Sequence, residues 1–314
     1  MKFIKSKNMK FIRTVQIVLI ICTVFVSIPS LSQDYVFRVL ANKGTNSVKS
    51  GSSDWIPLKT GARLNKGDAL KLGENGYLGL VHSSGRTLEL KDVGEHKIDD
   101  LSAKIGSARS SVASKYADFV MSKMSPEKRE ENRRKYASVT GAVERATGSS
   151  AIKLLMPPSA EVFGDEALIV WDGEEGTSYD VTVKDMFDEV IFSSKVEDSK
   201  ILLHLNDEKF AKESLIIINI KQSDNENIGS GDYGIKKLSG DEASEIKSEL
   251  QELMEHIGDE TNSLNSLILA EFFEQKNMII DALTKYMKAV ELSPEVDYFG
   301  EVYQEFKMRH RLDK

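Results

Sequence analysis

Residues 266–294, "SLILAEFFEQKNMIIDALTKYMKAVELSP", decide how this chain is built. Two runs of helix-forming residues flank the Gln-Lys-Asn of 275–277, and each carries apolar and small side chains three and four residues apart. Leu269, Ala270 and Phe273 share one face of the first run. Ala282, Tyr286 and Ala289 share one face of the second, and Pro294 marks its exit. Small residues at this spacing let two helices approach, while the aromatics fill the gap between them. The stretch is expected to be a helical hairpin.

Helical periodicity continues on both sides. Ile246, Leu250, Leu253 and Ile257 form an apolar stripe upstream, after Ser239 and Glu242 at capping-box spacing. Phe299, Val302, Tyr303 and Phe306 form another downstream. Residues 239–314 are therefore expected to be an all-α domain. At the seven hairpin positions named above, the chain resembles a tetratricopeptide repeat, although Ser266 stands where that repeat usually has tryptophan. A single repeat cannot bury its own faces, so the flanking stripes are expected to cap it. The seven residues then mark the structure, and any docking surface lies in exposed side chains around them.

Residues 150–238 change period. "AIKLL", "ALIVWD", "SYDVTVKD", "EVIFSSK", "KILLHL", "SLIIINIK" and "DYGIKKL" are short apolar runs at sandwich spacing. With Trp171 in one strand and Tyr179 opening the next, this region resembles an immunoglobulin or fibronectin-III-like sandwich. Such sandwiches are mostly spacers or recognition modules.

Residues 33–105 also alternate, with turns at "NKG", "KSGSSD", "NKGD", "GENG" and "SSG". Trp55 with Leu58, Gly61, the Lys66–Asp68 turn, Tyr77 to Val81, and Gly85 before "TLEL" resemble the FecR-type domain of bacterial extracytoplasmic proteins. The iron-transport regulators that name that family carry a long cytoplasmic region. Here only about fourteen residues precede the first apolar run, so sigma-factor regulation does not carry over. Between these β regions, 106–149 reads as a charged helical segment and linker. Val112, Tyr116, Phe119, Val120 and Met124 lie on one helical face, and Ser125–Pro126 restarts a helix into "EKREENRRKY". Its interleaved charges describe a solvated face. The fold class expected is multidomain α+β, with two small all-β modules and an all-α end.

Residues 1–32 stand apart. Five positive charges precede "VQIVLIICTVFVSI", and a proline and serines follow, the pattern of a cleaved secretory signal peptide. The alternative is an uncleaved signal anchor. The only cysteine, Cys22, lies within this segment, so a cleaved chain carries no thiol. Cleavage also takes Lys+Arg from 42 to 37 against 49 acids, about −12, which argues against nucleic acid and anionic lipid as partners.

Chemistry is sparsely marked. His82, His96, His204, His256 and His310 form no metal-ligand spacing, and His82 and His204 sit in strands where a structural role is expected. No nucleophile-elbow, phosphate-loop or dinucleotide signature occurs. Asp224–Asp232 lacks the terminal glutamate of a calcium loop and reads as a turn, and Asp172, Glu174 and Glu175 read as a charged hairpin loop. The expectation is a non-catalytic exported protein, periplasmic or envelope-associated, that scaffolds or recognises a protein partner without metal or cofactor. Membrane contact would come only through an uncleaved anchor. A cell-wall or glycan-binding module is the alternative, with an exposed Trp55 as its contact. An enzyme with an unmarked site would instead show carboxylates or a histidine converging in a deep pocket.

Overall fold

The computed structural model describes residues 35–105, 110–123, 152–258 and 261–312. Residues 1–32 with Cys22, expected to be a signal peptide, and the charged stretch from Met124 through Ser125–Pro126 to 149 lie outside the described residues. The fold is α+β: two β-rich regions and a helical C-terminal region, with seven helices among the described residues.

The first region contains β1 (Phe37–Lys43), β2 (Ser47–Ser50), β3 (Ile56–Pro57), β4 (Arg63–Leu64), β5 (Asp68–Leu72), β6 (Tyr77–His82), β7 (Thr87–Leu90) and β8 (Gly94–Lys97). They form two antiparallel sheets, ordered β4-β1-β6-β7 and β3-β2-β5-β8. Phe37, Val39, Leu70, Leu72, Leu78 and Leu80 fill the core, which Ile98 and Leu101 of α1 (Ile98–Ile105) join. The register of β1 on β6 shifts between Val39 and Ala41, and the residue between them, Leu40, is left unpaired. This bulge turns Leu40 and Ala41 toward a second core. Every residue of β6 is accordingly buried, where alternation alone suggested one buried face.

Helix α2 (Ser111–Lys123) buries Ala113, Tyr116, Ala117, Val120 and Met121. The expected stripe is thus rotated: Phe119 is 38% exposed, with Lys123 Nζ 4.8 Å from its ring centroid. The alanines explain the rotation, because they admit the β6–β7 turn. At Gly85 (φ +93°) a Cβ would lie 2.6 Å from the Ser114 nitrogen and 2.8 Å from Ala113 Cβ.

The second region contains β9 (Ser159–Val162), β10 (Glu166–Val170), β11 (Tyr179–Lys184), β12 (Val190–Val196), β13 (Lys200–His204), the short α3 (Glu208–Ala211), β14 (Leu215–Gln222) and β15 (Asn225–Lys237). A five-stranded sheet, β12-β11-β14-β15-β9, faces the pair β10–β13. Trp171 and Tyr179 are buried between them in edge contact at 5.4 Å. Two local readings change. "AIKLL" contributes only an isolated bridge, Leu154 to Trp171, and the acidic stretch after Asp224 is mostly strand β15, not a turn.

The helical end comprises α4 (Gly240–Ile257), α5 (Ser263–Gln275), α6 (Ile279–Leu292) and α7 (Asp297–His310). Ser239 is the N-cap of α4 by position, yet its side chain makes no capping bond. Helix α5 is buried at every residue from Ser263 to Phe273. Being apolar almost all round, it can only be a central element. Leu264 meets β6 at Gly79, where a Cβ would stand 2.9 Å from Leu264 Cδ2. Phe272 packs edge-on to Tyr116 of α2 at 5.2 Å, and Phe273 lies 6.2 Å from Phe163 of the second β region. Leu40, Ala41, Tyr77 and Val81 consequently share one core with α2 and the C-terminal helices.

Candidate functional site

Where α6 meets the second β region, its side chains are sewn to backbone. Ile280 enters the core of the second β region. Asp281 is buried, and its two carboxylate oxygens accept the backbone N–H groups of Phe163 (3.0 Å) and Gly164 (2.7 Å). Burial pushes its carboxyl up to about 6, against those two hydrogen bonds and the nearby Lys285 charge, which favour the ionised form. A Cβ at Gly164 would come 2.8 Å from Asp281 Oδ1, so the turn needs glycine there. One turn on, Thr284 Oγ1 accepts the Leu168 N–H at 3.1 Å and donates to the Ile280 carbonyl at 2.8 Å. Strand β10 thus has an edge donor satisfied by a helix side chain.

Beside this seam lies a cleft of about 810 Å³. Its walls are the β9–β10 turn (Phe163 to Glu166), the end of β13 (His204 and Asn206), α4 (Lys247, Leu250, Gln251 and Met254), and Phe273, Asp281, Thr284 and Lys285 of the hairpin. Leu250, Met254 and Phe273 supply apolar surface. Asp165, Glu166, Lys247 and Gln251 add both signs of charge and an amide to the lining. His204 Nδ1 stands 3.7 Å from Glu166 Oε1, both half-exposed. Three carboxylates, Asp165, Glu166 and Asp281, and one histidine line this cleft, the kinds of group an unmarked enzymatic site would require. The most perturbed carboxylate, Asp281, nevertheless has both oxygens engaged by backbone donors. Among the described residues no group of three His, Cys, Asp or Glu side chains could hold a metal ion. The lining is equipped to hold a ligand that offers both apolar and charged groups.

The residues singled out from sequence fall in two places. Leu269, Ala270, Phe273, Ala282, Tyr286 and Ala289 are buried in the helical core, while Pro294 is exposed beyond α6. Trp55 stands far along the chain on the first β region, half-buried, with Lys49 Nζ 5.1 Å from its ring centroid. It is therefore less exposed than expected, its ring face shared with Lys49. His82 is buried, with Ser84 Oγ 2.8 Å from Nδ1 and Ser102 Oγ 3.2 Å from Nε2. His204, by contrast, lies in the cleft wall.

Sequence reading missed a buried ionic cluster that the hairpin encloses. Glu274 of α5 accepts from Tyr286 Oη (2.6 Å), Arg309 Nε (2.7 Å) and Arg309 Nη2 (2.8 Å), with His310 Nε2 3.0 Å away. Glu271 takes Lys123 Nζ of α2 at 2.8 Å. Burial alone would raise the Glu274 carboxyl. Hydrogen bonds from His310 and Arg309, with the Arg309 and Lys123 charges, instead hold it well below the usual carboxylate range. The available signal was Glu271 and Glu274 on a run otherwise lacking charge, a cost that burial tolerates only with partners.

No protein-family model matches the chain, and no curated protein matches it. Among solved structures it is similar to the complex of Porphyromonas gingivalis RgpB pro- and mature domains, at 16% identity and a TM-score of 0.21. That match covers 28% of this chain and 19% of the other. It is also similar to the crystal structure of the Arg-specific cysteine proteinase gingipain R, at 13% identity and a TM-score of 0.20, covering 28% and 18%. The chain spans about a fifth of the length of those chains, and likenesses this partial carry no argument about fold or activity.

Proposed function

We propose that this protein is a non-catalytic, exported recognition protein of the cell envelope, and that it docks a segment of a protein partner in the cleft beside the helical hairpin. The observation that carries the reading is the cleft itself. Its lining joins the apolar Leu250, Met254 and Phe273 with Asp165, Glu166, Lys247 and Gln251. A peptide segment offers side chains of the same mixed kind. Export is supported by the basic and apolar leader of residues 1–32. The finer reading takes the β regions as FecR-like and immunoglobulin-like and the hairpin as tetratricopeptide-like. Support comes from the turn glycines of the first region, the Trp171–Tyr179 pair of the second, and the small and aromatic core positions of the hairpin. A non-catalytic role is supported by the engagement of both Asp281 oxygens.

The test is a crosslinked capture from envelope extract with the mature chain and with the variants Lys247→Glu and Gln251→Arg. Both side chains are exposed, so the variants should melt with the wild type. A partner recovered by wild type and reduced at least tenfold by either variant is the expected result. Equal recovery by all three would overturn docking in the cleft.

A further inference from the structure

Charge is divided unevenly along the chain. Residues 35–105 carry eleven Lys and Arg against eight Asp and Glu, whereas residues 106–314 carry 26 against 40. A basic β region on an acidic protein points to an anionic partner.

The register shows where the positive charge gathers. In the β3-β2-β5-β8 sheet, Leu70 and Leu72 face the core with Val48 packed against it. Residues paired directly across antiparallel strands share a face. Lys49, Ala69 and Lys97 are paired in register and form one row on the opposite, outward face; Ser47, Lys71 and Glu95 form the next. Trp55 extends the first row. It precedes β3 at the position facing Lys49, and the ammonium stands over its ring. Two strand spacings set Lys49 and Lys97 about 10 Å apart. Lys71 and Lys97 are exposed, and among the described residues no carboxylate lies within ion-pair distance of any of the three lysines. Among the residues paired in these two rows, Glu95 is the one acid.

We propose that this face binds an anionic polysaccharide, one whose carboxylates are spaced along an extended chain. Lys49 and Lys97 would take successive carboxylates across the strands, Lys71 would add from the neighbouring row, and the edge of Trp55 would bound the path. A linear polymer suits the flat lysine row. A bilayer surface would call for a protruding apolar face, but the aromatic of this row is half-buried, and the exposed Ile56 and Val93 stand singly at opposite edges of the sheet. The inference goes beyond the cleft reading, concerns a different β region, and stands or falls separately.

Binding of the mature protein to alginate, a polyuronate, tests it, with dextran, phosphatidylglycerol vesicles and a single-stranded oligonucleotide as comparisons. Wild type should bind alginate and not dextran, and its affinity should fall as salt rises. Lys49→Glu with Lys97→Glu should weaken binding at least tenfold at an unchanged melting temperature, and Trp55→Ala severalfold. The proposal is overturned if the double variant binds as wild type does, if wild type does not bind alginate, or if vesicles or oligonucleotide bind more tightly.

Discussion

Asp281 shows how one side chain can hold two layers together and set a pH dependence. Its folded pKa, about 6, lies above the ordinary 3.8, so the folded state favours the protonated acid. The contribution is therefore fully present below pH 3.8 and is lost as pH rises through 6. Relative to Asp281→Asn, which does not titrate, wild type should be more stable at pH 4 than at pH 7.5 by roughly 2–3 kcal/mol. Urea unfolding of both proteins at the two pH values measures this, and a difference independent of pH would refute it. Neither partner of Asp281 was legible in sequence, because Phe163 and Gly164 lie more than a hundred positions away and offer only backbone. The seven hairpin residues were legible because side-chain size at helical spacing reports the contact between neighbouring helices. Trp55 was legible as a residue to watch, but its half-burial beside Lys49 depends on strand pairing.

Among the elements, α5 carries the most consequence. Its periodic face was readable, whereas its burial on every side was not, since neighbours from three regions must cover it. The approach to β6 depends on Gly79. A valine there would drive its side chain into Leu264 and Ala41, whose nearest atoms already lie 2.9 Å and 3.3 Å from the position of a Cβ. Gly79→Val should cost about 1–3 kcal/mol, the usual penalty of overpacking a filled core. Gly76→Val does not serve as a control, because its Cβ would meet the Gly73 carbonyl oxygen at 2.8 Å. Gly51→Ala is a suitable comparison: its φ of +57° carries some strain, but nothing lies within 4 Å of its Cβ. If Gly79→Val melts no lower than Gly51→Ala, the close approach is not what holds α5 to the sheet.

For the molecule as a whole, the helices are part of the interior of the β regions. Leu40, Ala41, Tyr77 and Val81 of the first are buried with the C-terminal helices, and Ile280 of α6 lies in the core of the second. A chain ending at Leu238 would return these surfaces to water at about 1.5–3 kcal/mol for each large side chain. The sum rivals the 5–15 kcal/mol of net stability typical of a folded protein. The shortened chain should therefore lack the cooperative thermal transition of residues 33–314. A native-like transition in calorimetry would show instead that the β regions fold without the helices. Point substitutions, which leave this shared core intact, are accordingly the sound way to probe docking.

What the sequence determined by itself was local: strand or helix period, turn glycines, the hairpin's small and aromatic positions, the core pair Trp171 and Tyr179, and the leader pattern. Each rests on residues close in the chain, whose side-chain spacing records which face is buried. Only the tertiary structure decided the rotated face of α2, the burial of both faces of β6, the Glu274 cluster, the Asp281 seam and the cleft beside it. These join residues separated by up to more than two hundred positions, and periodicity carries no record of which distant surface will cover a given face.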